Sequence, residues 1–325
     1  MRVAFVVNDR REPTVEQTTT LLISAARRRG HDVSVCGVGD LTLSEGGRLL
    51  ASGCTLSAGD PPAVVRQLLE DDPSLIALGE QELCIIRTNP GRDESHRAEH
   101  IAALRLLERL EERGARVINS PRGLRRALTK LSLLELPGKL IPQTVVTRDP
   151  SEIQRFMERQ PDRVVIKPLE GTRGRDVFVL EPSASHQNRA QIIDVVLRQG
   201  YAMVQEFVPG AELGDIRVTV VSGKLLELDG HAAAIARVPR RDDFRSNLHA
   251  GGRAEAVAVS SEIREAVAEI APYLEREGLV HVGVDFVGGL VLELNAFSPG
   301  GLYPSERLYD RDFSGPVIAA FERLV

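Results

Sequence analysis

The sequence predicts a protein of the α/β and α+β classes that is built in three units. In the first third, short apolar segments alternate with helix-length amphipathic segments, which indicates βαβ units and a mostly parallel, Rossmann-like sheet. In the middle, strands flank a Gly-containing loop between short helices, which indicates a small α+β unit. The last third carries several strands and one long helix, which favours a mixed sheet. We place the units at residues 1–122, 123–209 and 210–325.

The composition limits the classes of protein to which the chain can belong. Its 325 residues are 42% hydrophobic, which is enough for a large core. The net charge is -5 and no Trp is present, so we expect no nucleic-acid-binding surface. No apolar run approaches the length of about 18 residues that a membrane span needs. Cys36, Cys54 and Cys84 lack CxxC spacing, so we expect reduced thiols in a cytoplasmic protein.

The first unit contains four predicted strands and two predicted helices. The strands are at residues 3–7, 32–37, 83–87 and 116–119, and the helices are at residues 15–29 and 100–113. Each helix ends at a glycine, Gly30 or Gly114, because glycine readily adopts the left-handed conformation that terminates a helix. No GxGxxG follows the first strand, so the fingerprint of a dinucleotide-binding site is absent.

The other two units begin with a helix that Ser120 caps and Pro121 opens, and we expect this helix to carry Lys130. The central unit has predicted helices at 151–159 and 190–198, and predicted strands at 143–147, 163–168, 176–180 and 201–208. The last unit has predicted strands at 216–221, 224–229, 280–286 and 291–295, and a helix at 261–277. The polar segment 239–252, rich in Arg and Gly, is predicted to be a mobile loop.

The two last strands present polar side chains in an alternating pattern. Side chains alternate between the two faces of a strand, so Asp285 lies on one face of its strand. On the next strand, the same alternation puts Glu293 and Asn295 on one face. Gly288 and Gly289 favour a three-residue loop with a bulge, which would set Asp285 opposite Glu293. Two carboxylates and an amide are hard oxygen donors that suit Mg²⁺ carrying phosphate ligands. A polar sheet face in solvent is the alternative interpretation.

An apolar strand delivers Lys167 to a turn, residues 170–174, that contains two glycines. Glycine lets backbone N–H groups approach phosphate oxygens closely, and lysine adds a compact positive charge. This pattern indicates a polyphosphate site, although a solvated lysine at the end of a strand is a commoner arrangement. Lys130, on the preceding helix, is a weaker candidate for the same role.

Two further patterns concern a hinge and a set of arginines. Strand 204–208 ends at Pro209 and Gly210, which could form a hinge. Backbone groups of such a hinge would hydrogen-bond to the edge of a purine, with Phe207 and Val208 beside it. An ordinary edge strand is the alternative interpretation. Arginine binds phosphate and carboxylate bidentately and keeps its charge. Three arginines are candidates for such contacts: Arg217 within an apolar strand, Arg237, and Arg245 in the polar loop.

Taken together, these segments resemble the bacterial glutathione synthetase family of ATP-grasp ligases. The resemblance covers most of residues 117–300 and rests on ordered motifs: VINSPRGLRRALTKL, VVIKPLEGTRG, VQEFVPG, GDIRVTVVSGK, ARVPRRDDFRSNLHAGGRAE, GLVHVGVDF and LELNAFSP. It implies an ATP-grasp fold, in which the Rossmann-like unit precedes a small central lid and a C-terminal mixed sheet. The N-terminal βαβ unit fits the family more loosely.

The resemblance also implies roles for individual residues. Six positions would bind ATP: Lys130 and Lys167 at the phosphates, Glu206, Phe207 and Val208 at the adenine, and Asp215 near the ribose. Three would hold Mg²⁺, with Mn²⁺ as an alternative: Asp285, Glu293 and Asn295. Five would face the reacting groups: Arg217 and Arg237 as catalytic residues at the reacting phosphate, Asn247 nearby, and Ser298 and Pro299 beside the acceptor substrate.

The implied activity is an ATP-dependent ligation of a carboxylate to an amine. Phosphoryl transfer to the acid gives an acyl phosphate, the amine attacks the acyl carbon, and an amide, ADP and phosphate are released. The intermediate hydrolyses readily, so segments 237–252 and 167–174 are the expected lids. The resemblance further implies small-molecule substrates, no membrane or nucleic-acid partner, and a homo-oligomer, either a dimer or a tetramer.

Two segments depart from the family pattern at positions expected to contact substrates. The family reads close to RKDPPFD where this chain has RTNPGRD, which keeps Arg87, Pro90 and Asp93 but loses the second basic residue and the aromatic. After Asn295 the family's Thr has become Gly300 and its Arg is replaced. Two substrate hypotheses therefore stay open: a γ-glutamyl peptide plus glycine, or another acid and amine. A non-catalytic nucleotide-binding protein is disfavoured, because the predicted phosphate and metal positions are intact.

Overall fold

The N-terminal unit is a six-stranded sheet with helices against it. The computed structural model describes residues 1–171, 174–181, 183, 185–239 and 252–325. The strands are β1 (Arg2–Val7), β2 (Asp32–Leu43), β3 (Leu49–Leu56), β4 (Ser74–Ala77), β5 (Leu83–Arg87) and β6 (Arg116–Ile118), and the helices are α1 (Thr18–Arg28), α2 (Pro61–Glu70) and α3 (Arg97–Glu112). The strand order is β4-β3-β2-β1-β5-β6.

The parallel part of this sheet agrees with the sequence prediction, and its other edge does not. β1 pairs in parallel with β2 and β5, and β5 pairs in parallel with β6. β3 and β4 add antiparallel strands that the sequence analysis missed, and β2 continues well beyond its predicted end. The helix between β3 and β4, α2, also escaped prediction, although Asp60 caps its N-terminus by accepting from the N–H of Ala63.

The central unit is a four-stranded antiparallel sheet with two helices, as predicted. It comprises β7 (Thr144–Thr147), β8 (Val164–Pro168), β9 (Phe178–Leu180) and β10 (Ala202–Glu206), with α5 (Pro150–Arg159) and α6 (His186–Leu197), in the order β7-β10-β8-β9. Apolar side chains of the helices and the sheet form a separate core that includes Ile153, Phe156, Ile166 and Val204. This unit therefore has a core of its own.

The helix that opens at Pro121 is shorter than predicted. α4 (Pro121–Arg126) ends before Lys130, which instead begins a 3-10 segment, Lys130–Glu135. The backbone N–H of Lys130 donates to Leu169 O at 2.8 Å, so a tertiary hydrogen bond replaces the one that a continuing helix would supply. The prediction that Lys130 lies on this helix is wrong, and the residue is fixed beside the end of β8.

The C-terminal unit has three helices and a sheet that was predicted to be mixed, but every strand pairing that the structure describes in it is antiparallel. Its strands are β11 (Asp215–Val221), β12 (Lys224–Leu225), β15 (Ala234–Val238), β16 (Arg253–Ala256), β17 (His281–Val287) and β18 (Leu290–Asn295), and β13 (Glu227–Leu228) pairs separately with β14 (His231–Ala232). The helices are α7 (Ser261–Arg276), α8 (Leu302–Tyr309) and α9 (Ser314–Glu322). The predicted strand at 224–229 is thus divided between two sheets.

The β17–β18 hairpin has the predicted facing and a different turn. Asp285 pairs with Glu293 and Phe286 pairs with Val291, so the turn contains two residues, Gly288 and Gly289. The predicted three-residue loop is wrong, because the extra residue is Leu292, which forms a bulge within β18. This bulge puts Val291 on the buried face while Glu293 stays on the face of Asp285.

The first and last units share apolar cores. Phe5 of β1 and Leu22 of α1 belong to the same buried cluster as Phe313 and Phe321, and α1 packs against α9. A second cluster joins Leu104 of α3 to the C-terminal sheet. These contacts hold the two units in one arrangement, with the ends of β5, β11 and β17 close together. No helix of the described ranges is long and apolar enough to cross a membrane.

A close backbone approach makes Gly123 a test of this packing. An added Cβ at Gly123 would lie 2.0 Å from Glu277 O, so the Gly123→Ala variant must shift α4 away from the end of α7. We expect a loss of about 1–3 kcal/mol in the free energy of unfolding, measured by urea denaturation. Gly138→Ala is the control, since an added Cβ there meets nothing within 4 Å. Equal stability of the two variants would contradict the packing described.

Candidate active site

Two cavities meet where the three units come together. The larger, about 510 Å³, lies between the segment after β5, the end of β8 and the strand β18. The smaller, about 160 Å³, lies between β8, the end of β10 and the strands β11 and β17. Five residues line both cavities, and they form the boundary between them: Lys130, Gly171, Arg175, Leu292 and Glu293.

The smaller cavity brings together most of the residues that the sequence analysis singled out. Its lining includes all six positions assigned to ATP by resemblance: Lys130, Lys167, Glu206, Phe207, Val208 and Asp215. Arg237, Asp285 and Glu293 line it as well. Residues that are distant in sequence therefore converge on one cavity, as the resemblance implies.

The hinge between the central and C-terminal units forms one wall of this cavity. Glu206 ends β10, and its Oε1 accepts from the backbone N–H of Gln143 at 3.0 Å. Phe207 is buried, with the guanidinium of Arg163 over its ring at 3.9 Å, and its N–H donates to Arg163 O. Val208 is also buried. The wall is thus apolar beside a polar strand end, which suits a flat heteroaromatic ring.

Two lysines reach the cavity boundary with little solvent around them. Lys167 Nζ lies 3.5 Å from Leu292 O, and Lys130 Nζ donates to Pro168 O at 3.1 Å and to Gly171 O at 3.2 Å. Burial lowers the pKa of Lys167 to about 8, against the opposing effect of Glu293. Burial lowers the pKa of Lys130 as well. Both ammonium groups are therefore partly desolvated and would be stabilised by a bound anion.

Asp285 is the most constrained group of the site. Its carboxylate is 2% exposed and accepts a bidentate pair from Arg217 Nε and Nη2, at 2.6 and 2.7 Å. Arg237 Nη2 donates to the same carboxylate at 2.7 Å. Burial alone would raise the pKa of Asp285, but the two guanidinium groups outweigh burial and hold it well below its usual range. Asp285 is accordingly a carboxylate at all physiological pH values.

A second carboxylate balances the second arginine. Asp215 accepts from Arg237 Nε and Nη2 at 2.6 and 2.7 Å. The two bidentate pairs lie directly across antiparallel strands, because Asp215 is in register with Arg237 and Arg217 with Asp285. Burial would lower the pKa of Arg237, and the carboxylates of Asp285 and Asp215 raise it further than burial lowers it. Both predicted catalytic arginines are thus held by carboxylates, each through Nε and Nη2.

Glu293 and Asn295 complete the polar face of the β17–β18 hairpin. Asn295 Nδ2 donates to Asp285 Oδ2 at 3.3 Å, so all three predicted metal positions are together. In the described part of the chain, the Glu293 carboxylate has no hydrogen bond or ion pair, and it lines both cavities. Carboxylate and amide oxygens on one face are a donor set that fits Mg²⁺. Asp285 shares its oxygens with guanidinium donors, so Glu293 is the most available ligand.

The predicted acceptor residues lie beside this face but outside both cavity linings. Pro299 O accepts from Arg87 Nη2 at 2.9 Å, and Ser298 Oγ lies 3.5 Å from Thr19 Oγ1. An added Cβ at Gly283 would lie 3.4 Å from Pro299 and 3.6 Å from Arg217, so glycine permits this close packing. Asn247, Arg245 and most of the predicted lid loop 239–252 lie outside the described residues.

The sequence analysis missed three charged residues that line the larger cavity: Glu94, Arg97 and Arg175. Glu94 lies in the turn before α3, Arg97 begins α3, and Arg175 follows the glycine turn. Arg97 forms an ion pair with Glu170, and Arg175 forms one with Glu94. None of these residues alternates within a strand or belongs to a quoted motif except Glu170. Only their spacing around the predicted substrate segment could have indicated them.

The desolvated Lys167 provides a pH-dependent test of the site. Below pH 8 both the folded and the unfolded states hold the proton, so the full cost of the buried charge is present. Lys167→Met should therefore raise the free energy of unfolding at pH 7 by about 1–3 kcal/mol. Between pH 8 and 10.5 the folded wild type loses its proton first, so this advantage shrinks. Urea denaturation of both proteins at pH 7 and 10 measures the difference.

Lys139→Met is the matched control for that comparison, because Lys139 is an exposed lysine that pairs with Glu269 at 2.8 Å. Its stability should stay within about 0.5 kcal/mol of wild type at both pH values. If Lys167→Met behaved in the same way as Lys139→Met, the ammonium group of Lys167 would not be desolvated.

Comparisons with known proteins agree with the geometry. The family model "Prokaryotic glutathione synthetase, N-terminal domain" matches residues 1–125, and "Prokaryotic glutathione synthetase, ATP-grasp domain" matches residues 129–310. Glutathione synthetase of Vibrio parahaemolyticus is 33% identical over 302 residues, covering 92% of this chain and 90% of the relative. Glutathione synthetase of Synechococcus elongatus is 31% identical over 335 residues, covering 100% of this chain and 99% of the relative.

A solved structure shares the fold. The ATP-grasp ligase PsnB, complexed with a phosphomimetic variant of its minimal precursor, Mg and ADP, has a TM-score of 0.63 at 21% identity. The match covers 98% of this chain and 97% of the PsnB chain. The predicted fold class is confirmed by this likeness and by the family models. The chain belongs to the prokaryotic glutathione synthetase family and is an ADP-forming, ATP-dependent carboxylate–amine ligase with an ATP-grasp fold.

Proposed function

We propose that this ligase binds ATP and Mg²⁺ in the smaller cavity and at its boundary with the larger one. The observation that carries the proposal is the convergence of the hinge, two desolvated lysines and the carboxylates of Asp285 and Glu293 on one lining. The smaller cavity, at about 160 Å³, is below the 300–1,000 Å³ typical of ligand sites, so the nucleotide would extend to the shared boundary. PsnB, which shares the fold, carries Mg and ADP.

The residues divide the work of binding and charge neutralisation. Phe207 and Val208 line the adenine site, and Lys130 and Lys167 contact the phosphates. Asp285, Glu293 and Asn295 hold Mg²⁺, which neutralises phosphate charge when it is bound. In this assignment Asp215 lies near the ribose.

The arginines position and stabilise the reacting groups. Asp285 and Asp215 engage Nε and Nη2, so in the described part of the chain Nη1 of Arg217 and of Arg237 is left to donate. These fixed donors would stabilise charge that develops on the transferred phosphoryl group and on the acyl oxygen. Because both guanidinium groups are anchored, their orientation costs little to establish during the reaction.

We propose that the chain works as three units, at residues 1–122, 123–209 and 210–325. The sheet and two helices of the central unit have a core of their own, which supports movement of this part, while Leu133 and Met203 of the same unit belong to a cluster that the other two units share. Such closure would exclude water from the acyl phosphate. The larger cavity, which all three units line, then holds the acid substrate.

The metal assignment is tested by Glu293→Gln. We expect a fall in turnover of more than about 100-fold at saturating Mg²⁺, because the amide removes the charge of the most available ligand. The fold should stay intact, since no described residue hydrogen-bonds to this carboxylate. ADP release and thermal unfolding measure the two effects, with Glu265→Gln on the exposed side of α7 as the control. Near-normal turnover of Glu293→Gln would rule out the metal site.

We propose a γ-glutamyl peptide as the acid and glycine as the amine, on the strength of the family membership. A second candidate, another acid and amine, is favoured by one observation. Asn89 and Gly91, within the segment that departs from the family pattern, line the larger cavity. A site built for hydrogen bonds discriminates by orders of magnitude when a partner is lost, so changes here could redirect specificity.

A screen of ADP release separates the two candidates. The expected result is that γ-glutamylcysteine with glycine gives the highest rate among a panel of amino acids, dipeptides and small acids. Glu293→Gln serves as the blank for contaminating ATPase activity. Absence of turnover with that pair, together with turnover of another pair, would replace the first candidate by the second.

A further inference from the structure

We propose that two ion pairs between the first and central units close the larger cavity and position the acid substrate. Arg175 Nη1 lies 2.7 Å from Glu94 Oε1. Arg97 contacts Glu170 through both terminal nitrogens, at 2.8 and 2.9 Å. All four residues line the larger cavity. We name this set the charge bridge: Glu94, Arg97, Glu170 and Arg175.

The charge bridge is reciprocal. Each side contributes one acid and one base, because Glu94 and Arg97 precede or begin α3 while Glu170 and Arg175 follow β8. The two residues of each ion pair are 73 or 81 residues apart in sequence. The pairs therefore join two units and are not contacts within one helix. An exchange of charge within one pair would leave the total charge of the bridge unchanged and the attraction between the two sides in place.

The bridge also reaches the proposed phosphate site. Lys130 Nζ donates to Gly171 O, and Gly171 and Arg175 line both cavities. The described residues Glu170 and Gly171 are therefore held by Arg97 on the substrate side and by Lys130 on the nucleotide side. Closure of the bridge would bring the acid and the nucleotide together. This inference rests on the proposed function, which assigns the acid to the larger cavity.

The exposure of the pairs limits the size of the effect. The side chains of Arg175 and Glu94 are 65% and 61% exposed, and those of Arg97 and Glu170 are 40% and 47% exposed. Exposed ion pairs are weak and screened by salt, so loss of one pair should raise the KM for the acid about 2- to 5-fold. The bidentate pair of Arg97 should give the larger change.

The experiment compares single variants with an exchanged pair. Glu94→Gln and Arg175→Gln should each raise the KM for the acid, measured by ADP release, with little change in kcat. The double exchange, Glu94→Arg with Arg175→Glu, should restore the KM to within about 2-fold of wild type. Arg264→Gln is the control, since Arg264 pairs with Glu227 at 2.8 Å with comparable exposure and lines neither cavity.

Added salt supplies a second readout of the same pairs. The KM of the wild type should rise with ionic strength more steeply than that of Arg175→Gln, because the variant has lost one screened interaction. An unchanged KM in both single variants would overturn the proposal. Failure of the exchanged pair to restore the KM would also overturn it, because the side chains would then bind the substrate directly.

Hydrogen–deuterium exchange separates failure of the bridge from failure of the proposed substrate. Peptides that cover residues 94–97 should exchange faster in Arg175→Gln than in wild type, with ATP and Mg²⁺ present and no acid needed. If no γ-glutamyl acid is turned over but this difference is found, the substrate assignment fails and the bridge stands. Equal exchange in the two proteins would overturn the bridge whatever the substrate.

Discussion

The burial of the Asp285 carboxylate is the constraint on which the rest of the site depends. An unpaired carboxylate in such a position would cost several kcal/mol, and the protein offsets this with two guanidinium groups. Arg237 is itself buried, so it needs Asp215 as a second partner. Four charged side chains therefore have to be placed as one set, and removing any one of them would leave a buried charge uncompensated.

This set fixes the register of the C-terminal sheet. β11 lies between β15 and β17, and each of its two charged residues lies directly across from its partner. A slip of one residue would move the charged groups to the apolar face, where Val218, Val220 and Val284 form the core. The polar face thus selects one pairing, and the same pairing delivers Arg237 and Asp285 to the smaller cavity, with Arg217 bound to Asp285.

The sequence predicts this site better than it predicts the edges of the fold. Period-two alternation grouped Glu293 with Asn295 on one face of β18, because alternation is a local property of strands, and the bulge in β18 is what sets this face beside Asp285. The bulge at Leu292 and the early end of α4 were missed, since tertiary hydrogen bonds and packing decide both. Partner choice also escaped prediction: nothing in the local pattern says that Arg217 binds Asp285, or that Arg97 reaches Glu170.

The two kinds of cation in the site have different tasks, and their chemistry explains the division. Arginine stays charged under all relevant conditions, so Arg217 and Arg237 can compensate buried carboxylates permanently. Among the described residues, the ammonium groups of Lys130 and Lys167 hydrogen-bond only to carbonyl oxygens, and burial lowers the pKa of both lysines. Unlike the arginines, these lysines therefore keep a positive charge that no ion pair within the described residues neutralises. A bound phosphate chain would stabilise these ammonium groups in place of the water that they lack. The free-energy cost of burying them in the free enzyme is therefore offset only when an anionic cosubstrate binds, which makes the site selective for anions.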